Sequence, residues 1–347
     1  MQTLFGLKNT CSICGKQNNE ISSTIGVCLS CIRNKPKQAL AKTNLVHKII
    51  REKYKLPAKP PKNKNAIQCF LCINECKIGA GKKGYCGLRE NKNGELVQPK
   101  NGYLFCYYDP LPTNCCASWF CPMNKQKGYS LAVFSFGCSF DCLFCQNHEH
   151  KLIEKAEHIE IDSLIKMIEK VKCLCFFGGS PEPQFPFLLN ATKKILENKK
   201  INICWEWNGA GNPFFIKKAV KYSSMTNGTI KFDLKAFDKN LHLALTGQSN
   251  EKTLENFKMV AKNFKKKNLL TATTLLIPGY IDKQEIEKIA QFISNLNPDI
   301  PYLLLAFHPA FEMNDLPITS TKQATECYET AKKYLKNVNI GNKHLLW

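Results

Sequence analysis

Eight residues, Cys138 to Cys145, constrain this chain more than any others, because three thiols in the spacing Cys138-x3-Cys142-x2-Cys145 must end up around one small object. The loop follows directly on an apolar, strand-like run, Ser130 to Phe136, so a strand delivers it to the end of a core. A [4Fe-4S] cubane has four irons, and full ligation by protein takes four thiolates. Three local thiolates therefore leave one iron open to a small molecule, as an open position separates a catalytic zinc from a structural one. Spacing alone leaves open a zinc site completed by a distant thiol.

From residue 130 onward, short β-branched and apolar runs alternate with amphipathic stretches. Strands are expected at 130–136, 173–177, 201–207, 229–234, 270–277 and 301–307, with helices between them at 162–171, 186–198, 251–266 and 283–295. Two helix starts carry capping-box spacing, Asp282 with Glu285 and Ser320 with Gln323. Strand-helix alternation implies parallel strands with right-handed crossovers. Six units predict an α/β fold, a partial (β/α)6 TIM-type barrel, whose active residues gather at the C-terminal strand ends.

Polar residues do close those strands. The second ends in Phe177-Gly178-Gly179-Ser180-Pro181-Glu182, where two glycines let backbone approach a ligand. The third ends in Glu206-Trp207-Asn208, which period-two geometry sends Glu206 and Asn208 to one side. The fourth carries Asp233 and Lys235 on one face, a pair that must neutralise itself or meet a charged ligand. Further on, Ile277-Pro278-Gly279-Tyr280 and Phe307-His308-Pro309 close the last two, and His308 is either a ligand contact or a histidine satisfied at the barrel mouth. The chain has no Ser/His/Asp hydrolase arrangement and no Walker loop, so hydrolytic and kinase chemistry have no support.

Nineteen cysteines are too few for a small disulfide scaffold at 347 residues, and their clustering in a reducing compartment points to metal. Residues 1–35 hold Cys11-x2-Cys14 and Cys28-x2-Cys31, a four-cysteine zinc-ribbon pattern with every ligand position closed. Residues 36–65 read as an amphipathic helix, 38–53, with Leu45 and Ile49 on its apolar face, followed by a Lys/Pro-rich connection. Residues 66–125 hold Cys69, Cys72, Cys76 and Cys86 around glycine turns, a set suited to a second zinc or an auxiliary iron-sulfur cluster. In the same stretch Cys106, Cys115, Cys116 and Cys121 are further ligands or packed thiols. Residues 126–312 form the expected core and 313–347 a C-terminal helix and tail.

The net charge of +21 favours nucleic acid or an acidic protein as partner, unless it reflects a lysine-rich proteome. No apolar stretch is long enough to span a bilayer and the N-terminus lacks a secretion signal, so no membrane role and a cytoplasmic location are expected. The metal-rich composition also predicts a host living with little oxygen.

The three-cysteine loop, with the aromatic Phe144 directly before its last cysteine, resembles the cluster motif of radical SAM enzymes. That resemblance implies a [4Fe-4S] cluster on Cys138, Cys142 and Cys145, whose open iron is chelated by S-adenosyl-L-methionine. It further implies reductive cleavage to a 5′-deoxyadenosyl radical, hydrogen abstraction from a substrate, and a low-potential electron donor. Gly178, Gly179 and Glu182 resemble the family's GGEP-type segment, with Ser180 and Pro181 interrupting its order. Phe144, Asn208, Asp233, Lys235 and His308 are by the same resemblance candidates for cofactor contact. Residues Cys86 to Asn91 and Leu111 to Cys115 resemble the subgroup of the pyruvate formate-lyase-activating enzyme and the AmmeMemoRadiSam-system proteins, over about residues 66–347. The implied substrate is a protein, as in activation of a glycyl-radical enzyme. RNA modification and a non-catalytic metal-binding module are the alternatives.

Overall fold

Period-two strands buried on both faces have to be covered by helices, and the computed structural model, which describes residues 8–111 and 115–347, is built that way. Seven parallel strands form the body of one sheet: β2 (Tyr129–Ser135), β4 (Cys173–Gly178), β5 (Asn202–Trp207), β6 (Ile230–Asp233), β7 (Leu270–Leu276), β8 (Tyr302–Ala306) and β9 (Val338–Gly341). Two antiparallel strands, β1 (Gly102–Pro110) and β3 (Glu157–Ile159), extend it beyond β2 to give the order β9-β8-β7-β6-β5-β4-β2-β1-β3. The six expected parallel strands are all present. The additions are β1, β3 and β9, so residues 313–347 supply a sheet strand as well as helix α9 (Thr321–Lys332).

The outward-facing residues Phe176, Trp205, Trp207 and Phe232 pack under the helices. Phe176 stacks on Trp205 with ring centroids 4.3 Å apart, and Phe185, at the start of α4 (Phe185–Asn198), sits 6.1 Å from Trp205. Burying each such ring contributes on the order of 2 kcal/mol. The helices α3 (Ile161–Met167), α5 (Pro213–Met225), α6 (Lys239–Thr246), α7 (Glu251–Asn263) and α8 (Lys283–Ser294) complete that layer. Both expected caps form: Asp282 Oδ1 accepts from the Glu285 amide at 2.9 Å and Ser320 Oγ from the Gln323 amide at 3.1 Å.

The N-terminal residues dock on the turn after β7 and on helices α6 and α8. A two-residue hairpin, Asn9–Thr10 with Gln17–Asn18, and helix α1 (Leu29–Asn34) bring Cys11, Cys14, Cys28 and Cys31 together. Tyr280 donates to the Val27 carbonyl at 3.1 Å and accepts from the Ser22 amide at 3.0 Å, while Arg33 spans Asp282 and Glu285. The Pro278-Gly279-Tyr280 turn therefore holds the N-terminal unit, not the cavity. Gly279 has φ +73°, and a Cβ there would lie 2.2 Å from the Glu20 carbonyl oxygen.

Helix α2 (Pro36–Lys53) reverses the expected amphipathicity. Leu45 and Ile49 are more than half exposed, and the buried face carries Ala39, Thr43, His47, Ile50 and Arg51. That face is polar because it meets a buried carboxylate, Asp141, inside the three-cysteine loop. No described helix is long and apolar enough to cross a membrane.

Candidate active site

At the C-terminal ends of β4, β5 and β6 the backbone turns inward and encloses a cavity of about 180 Å³. Its lining contains Cys138, Cys142, Cys145, Phe144, Gly178, Gly179, Asn208, Asp233 and Lys235, residues drawn from four separate strand ends. Glu206 joins them on the side it shares with Asn208, and so do Gln146, Asn147, His150 and Trp207, residues that the sequence pattern did not single out as cavity lining. Glu182 and His308 are not among the lining residues. Glu182 is fully buried behind it, bonded to Ser180 and accepting from the Gly209 amide at 2.8 Å, and His308 is exposed with Nδ1 2.9 Å from the Pro309 carbonyl.

The two glycines have a stricter reason than ligand approach. Gly178 has φ +94°, and a Cβ on it would lie 2.7 Å from Phe134 Cα; a Cβ on Gly179 would lie 2.5 Å from the Gly137 carbonyl oxygen. The turn after β4 can thus lie flat against β2 and the base of the cysteine loop only without side chains. The β5 end is tied to the same loop, since Asn208 Nδ2 donates to Ser139 Oγ at 2.8 Å and lies 3.7 Å from Cys138 Sγ. From the outside, Asn256 of α7 donates to the carbonyls of Gly209 and Gly211 at 2.8 and 2.7 Å.

Asp141 organises the cysteine loop from within. It is fully buried, yet His47 Nδ1 lies 2.8 Å away, Arg51 3.4 Å away, and Lys151 is in direct contact. Burial alone would raise its pKa, but Lys151, His47 and Arg51 together hold the carboxyl well below the usual range. Arg51 also donates to the Tyr85 carbonyl at 2.5 Å and stacks 3.4 Å from the Tyr85 ring centroid, beside Cys86.

The cavity chemistry suits a thiolate-bound cluster with a polar, charged ligand. Burial pushes the Cys138 thiol up to about 12 and raises Cys142 and Cys145 as well, so loading metal must release protons. Lys235 contacts Asp233 and sits 5.2 Å from the Phe144 ring centroid. Burial raises the Asp233 pKa against the pull of Lys235, and Asp233 Oδ1 is buried without a protein partner. His150 Nδ1 is a further buried, unpartnered atom on a residue of the cavity lining. Such orphaned polar groups fit a site that a polar ligand completes.

The other cysteine sets differ in arrangement. The sulfurs of Cys11, Cys14, Cys28 and Cys31 all lie within 4.8 Å of one another, with Cys14 and Cys28 at 3.8 Å. A tetrahedral Zn–S₄ centre with bonds of about 2.3 Å requires sulfurs about 3.8 Å apart. Burial raises the pKa of Cys69, Cys72 and Cys76, and the neighbouring charge of Cys86 raises all three further. This second set abuts the cavity: the Ile73 amide donates to the Ala210 carbonyl at 2.8 Å and Asn74 Nδ2 to the Ser139 carbonyl at 2.8 Å. Of the Leu111 to Cys115 segment, Pro112, Thr113 and Asn114 lie outside the described residues.

Residues 132–293 match the model of the Radical SAM superfamily. The chain is 27% identical over 228 residues, 61% of its length and 80% of the relative's, to a protein of Methanocaldococcus jannaschii described as a glycyl-radical enzyme activating enzyme. An uncharacterized protein of the same organism is 24% identical over 80% of this chain and 82% of its own. The pyruvate formate-lyase-activating enzyme of Staphylococcus aureus is 25% identical over 52% of this chain and 75% of its own.

Proposed function

We propose that the chain is a radical SAM enzyme in which Cys138, Cys142 and Cys145 hold a [4Fe-4S] cluster, a reading supported by the match of residues 132–293 to the Radical SAM superfamily model. The observation that carries this reading is the convergence of these three thiols with Gly178, Gly179, Asn208 and the Asp233–Lys235 pair on one cavity. When bound, the reduced cluster supplies the electron for cleavage of S-adenosyl-L-methionine. The protein's part is geometric and electrostatic. Phe144 walls the site, Asn208 braces the loop through Ser139, and Asp233 and Lys235 present one acceptor and one donor to the polar end of the ligand. Glu182 acts behind the wall, pinning the Gly178–Gly179 turn to Gly209.

The substrate of this reading is a protein or peptide, and a low-potential donor supplies the electron. Similarity to activating enzymes supports that class. The reading keeps 1–35 as a zinc-binding unit, 36–65 as a helix and linker, 66–125 as an auxiliary metal region, 126–312 as the core and 313–347 as its C-terminal extension. Anaerobically reconstituted and reduced protein should convert S-adenosyl-L-methionine to 5′-deoxyadenosine and methionine. Capture of a partner protein that then acquires deuterium label, or donates it to 5′-deoxyadenosine, would identify the substrate. Reduced, iron-loaded protein that forms no 5′-deoxyadenosine contradicts the reading.

A further inference from the structure

One layer of side chains beneath the cavity, the inner face of the sheet becomes rich in sulfur. Strand alternation places Cys175 below Phe177, Cys204 below Glu206 and Lys231 below Asp233, with Cys175 paired to Cys204 and Glu206 to Lys231 in register. The segment after β1 packs against this face through Leu111 and Met123 and brings Cys115 and Cys116 to it. Lys231, 1% exposed, donates to Cys115 Sγ at 2.9 Å and lies 3.4 Å from Glu206. Cys116 Sγ stands 3.5 Å from Glu206 Oε2, and the ligand atoms of Cys115, Cys116 and Glu206 all lie within 4.8 Å of one another.

We propose that Cys115, Cys116 and Glu206 form a further metal site for one thiophilic divalent cation such as Zn²⁺, with a fourth position that no described residue fills. Bonds of about 2.3 Å to sulfur and about 2.1 Å to oxygen at tetrahedral angles put the two donor atoms about 3.6 Å apart, close to the observed Cys116–Glu206 separation. The charges also balance. Two thiolates and a carboxylate carry three negative charges, and a dication with the Lys231 ammonium carries three positive ones, so the assembly is neutral where isolated charge would be costly. Lys231 supplies the outer-sphere hydrogen bond that fixes a ligating sulfur. Cys173, Cys175 and Cys204 form with Leu111 a separate apolar cluster and serve as packing. Three ligands among the described residues, with one position left over, is the arrangement of a metal that binds something else. Glu206 also lines the cavity, so the ion lies one side chain from the substrate space and would take an oxygen or sulfur donor of the substrate. This inference does not depend on S-adenosyl-L-methionine chemistry.

The test uses the full chain, purified anaerobically from zinc-supplemented medium, with metal counted per chain and Co²⁺ added as a spectroscopic probe. Cys116→Ala should lose one equivalent of zinc and its share of thiolate-to-cobalt charge-transfer absorption, while the zinc of Cys11, Cys14, Cys28 and Cys31 and the circular dichroism stay unchanged. Lys231→Met, which removes no ligand, should weaken Co²⁺ binding at this site by about 10- to 100-fold. Glu206→Gln should weaken it as well. Equal metal content and identical cobalt spectra in wild type, Cys116→Ala and Glu206→Gln would overturn the site.

Discussion

His47 reaches 94 residues along the chain to donate from Nδ1 to the carboxylate of Asp141 at 2.8 Å, placing a helix outside the strand-helix core in contact with the loop that carries Cys138, Cys142 and Cys145. Arg51, one turn further, completes the contact and extends it to Tyr85 beside Cys86. The N-terminal helix and the second cysteine set are thereby joined to the candidate active site by one buried network. Asp141→Asn should leave Lys151 and Arg51 with uncompensated charge and cost about 3–5 kcal/mol. Urea unfolding together with iron content per chain measures this; a variant with wild-type stability and iron would show the network to be dispensable.

Helix α2 offers a paired contrast. Leu45→Ser and Ile49→Ser, on its exposed face, should change stability by less than about 0.5 kcal/mol, although both positions look like core in the sequence. His47→Ala should cost about 1–3 kcal/mol through the unpaired Asp141 oxygen. The reverse ranking by chemical denaturation would contradict the packing described above.

The reason α2 misleads is general to this chain. Strand and helix positions were legible because period-two and period-3.6 patterns reflect burial directly, and the expected strand 173–177 and helix 283–295 are found as Cys173–Gly178 and Lys283–Ser294. The cavity lining was largely legible because residues alternating along β5 and β6 must share a face. Three things were not. The burial of Thr43, His47 and Arg51 depends on Asp141, a partner that no local pattern reveals. The edge strands Glu157–Ile159 and Val338–Gly341 are too short for periodicity to register. His150 and Gln146 reach the cavity from an irregular stretch after Cys145, where neither period applies. The signal for Asp141 was present in one respect, a carboxylate enclosed between two thiol ligands, but its partners lie far away in sequence.

Glu182 should give stability a pH dependence of definite sign. Burial raises its pKa from 4.5 to about 7, against the hydrogen bonds from Ser180 and the Gly209 amide. The folded state then holds a proton that the unfolded state releases. This contribution is fully present below pH 4.5 and is lost as pH rises to about 7, up to about 3 kcal/mol in all. Glu182→Gln should flatten that slope in denaturation curves recorded across the same window. An unchanged slope would place the proton elsewhere.

Gly279 tests how the N-terminal unit is docked. In Gly279→Ala the new methyl would press on the Glu20 carbonyl at a positive φ, and the cost should exceed about 1 kcal/mol. If the proposed zinc is loaded on Cys11, Cys14, Cys28 and Cys31, the same variant should exchange it faster toward a chelator. Unaltered stability and exchange would mean that this turn is free to move away from the unit.

The central claim is that three thiolates, and no fourth from the protein, hold a cubane in the cavity. Electron paramagnetic resonance of the reduced protein, with and without S-adenosyl-L-methionine, tests it most directly. The account predicts a [4Fe-4S]⁺ signal that changes when S-adenosyl-L-methionine is added and loses that component in Cys142→Ala. A cluster signal indifferent to S-adenosyl-L-methionine, or one that survives intact in Cys142→Ala, would contradict it.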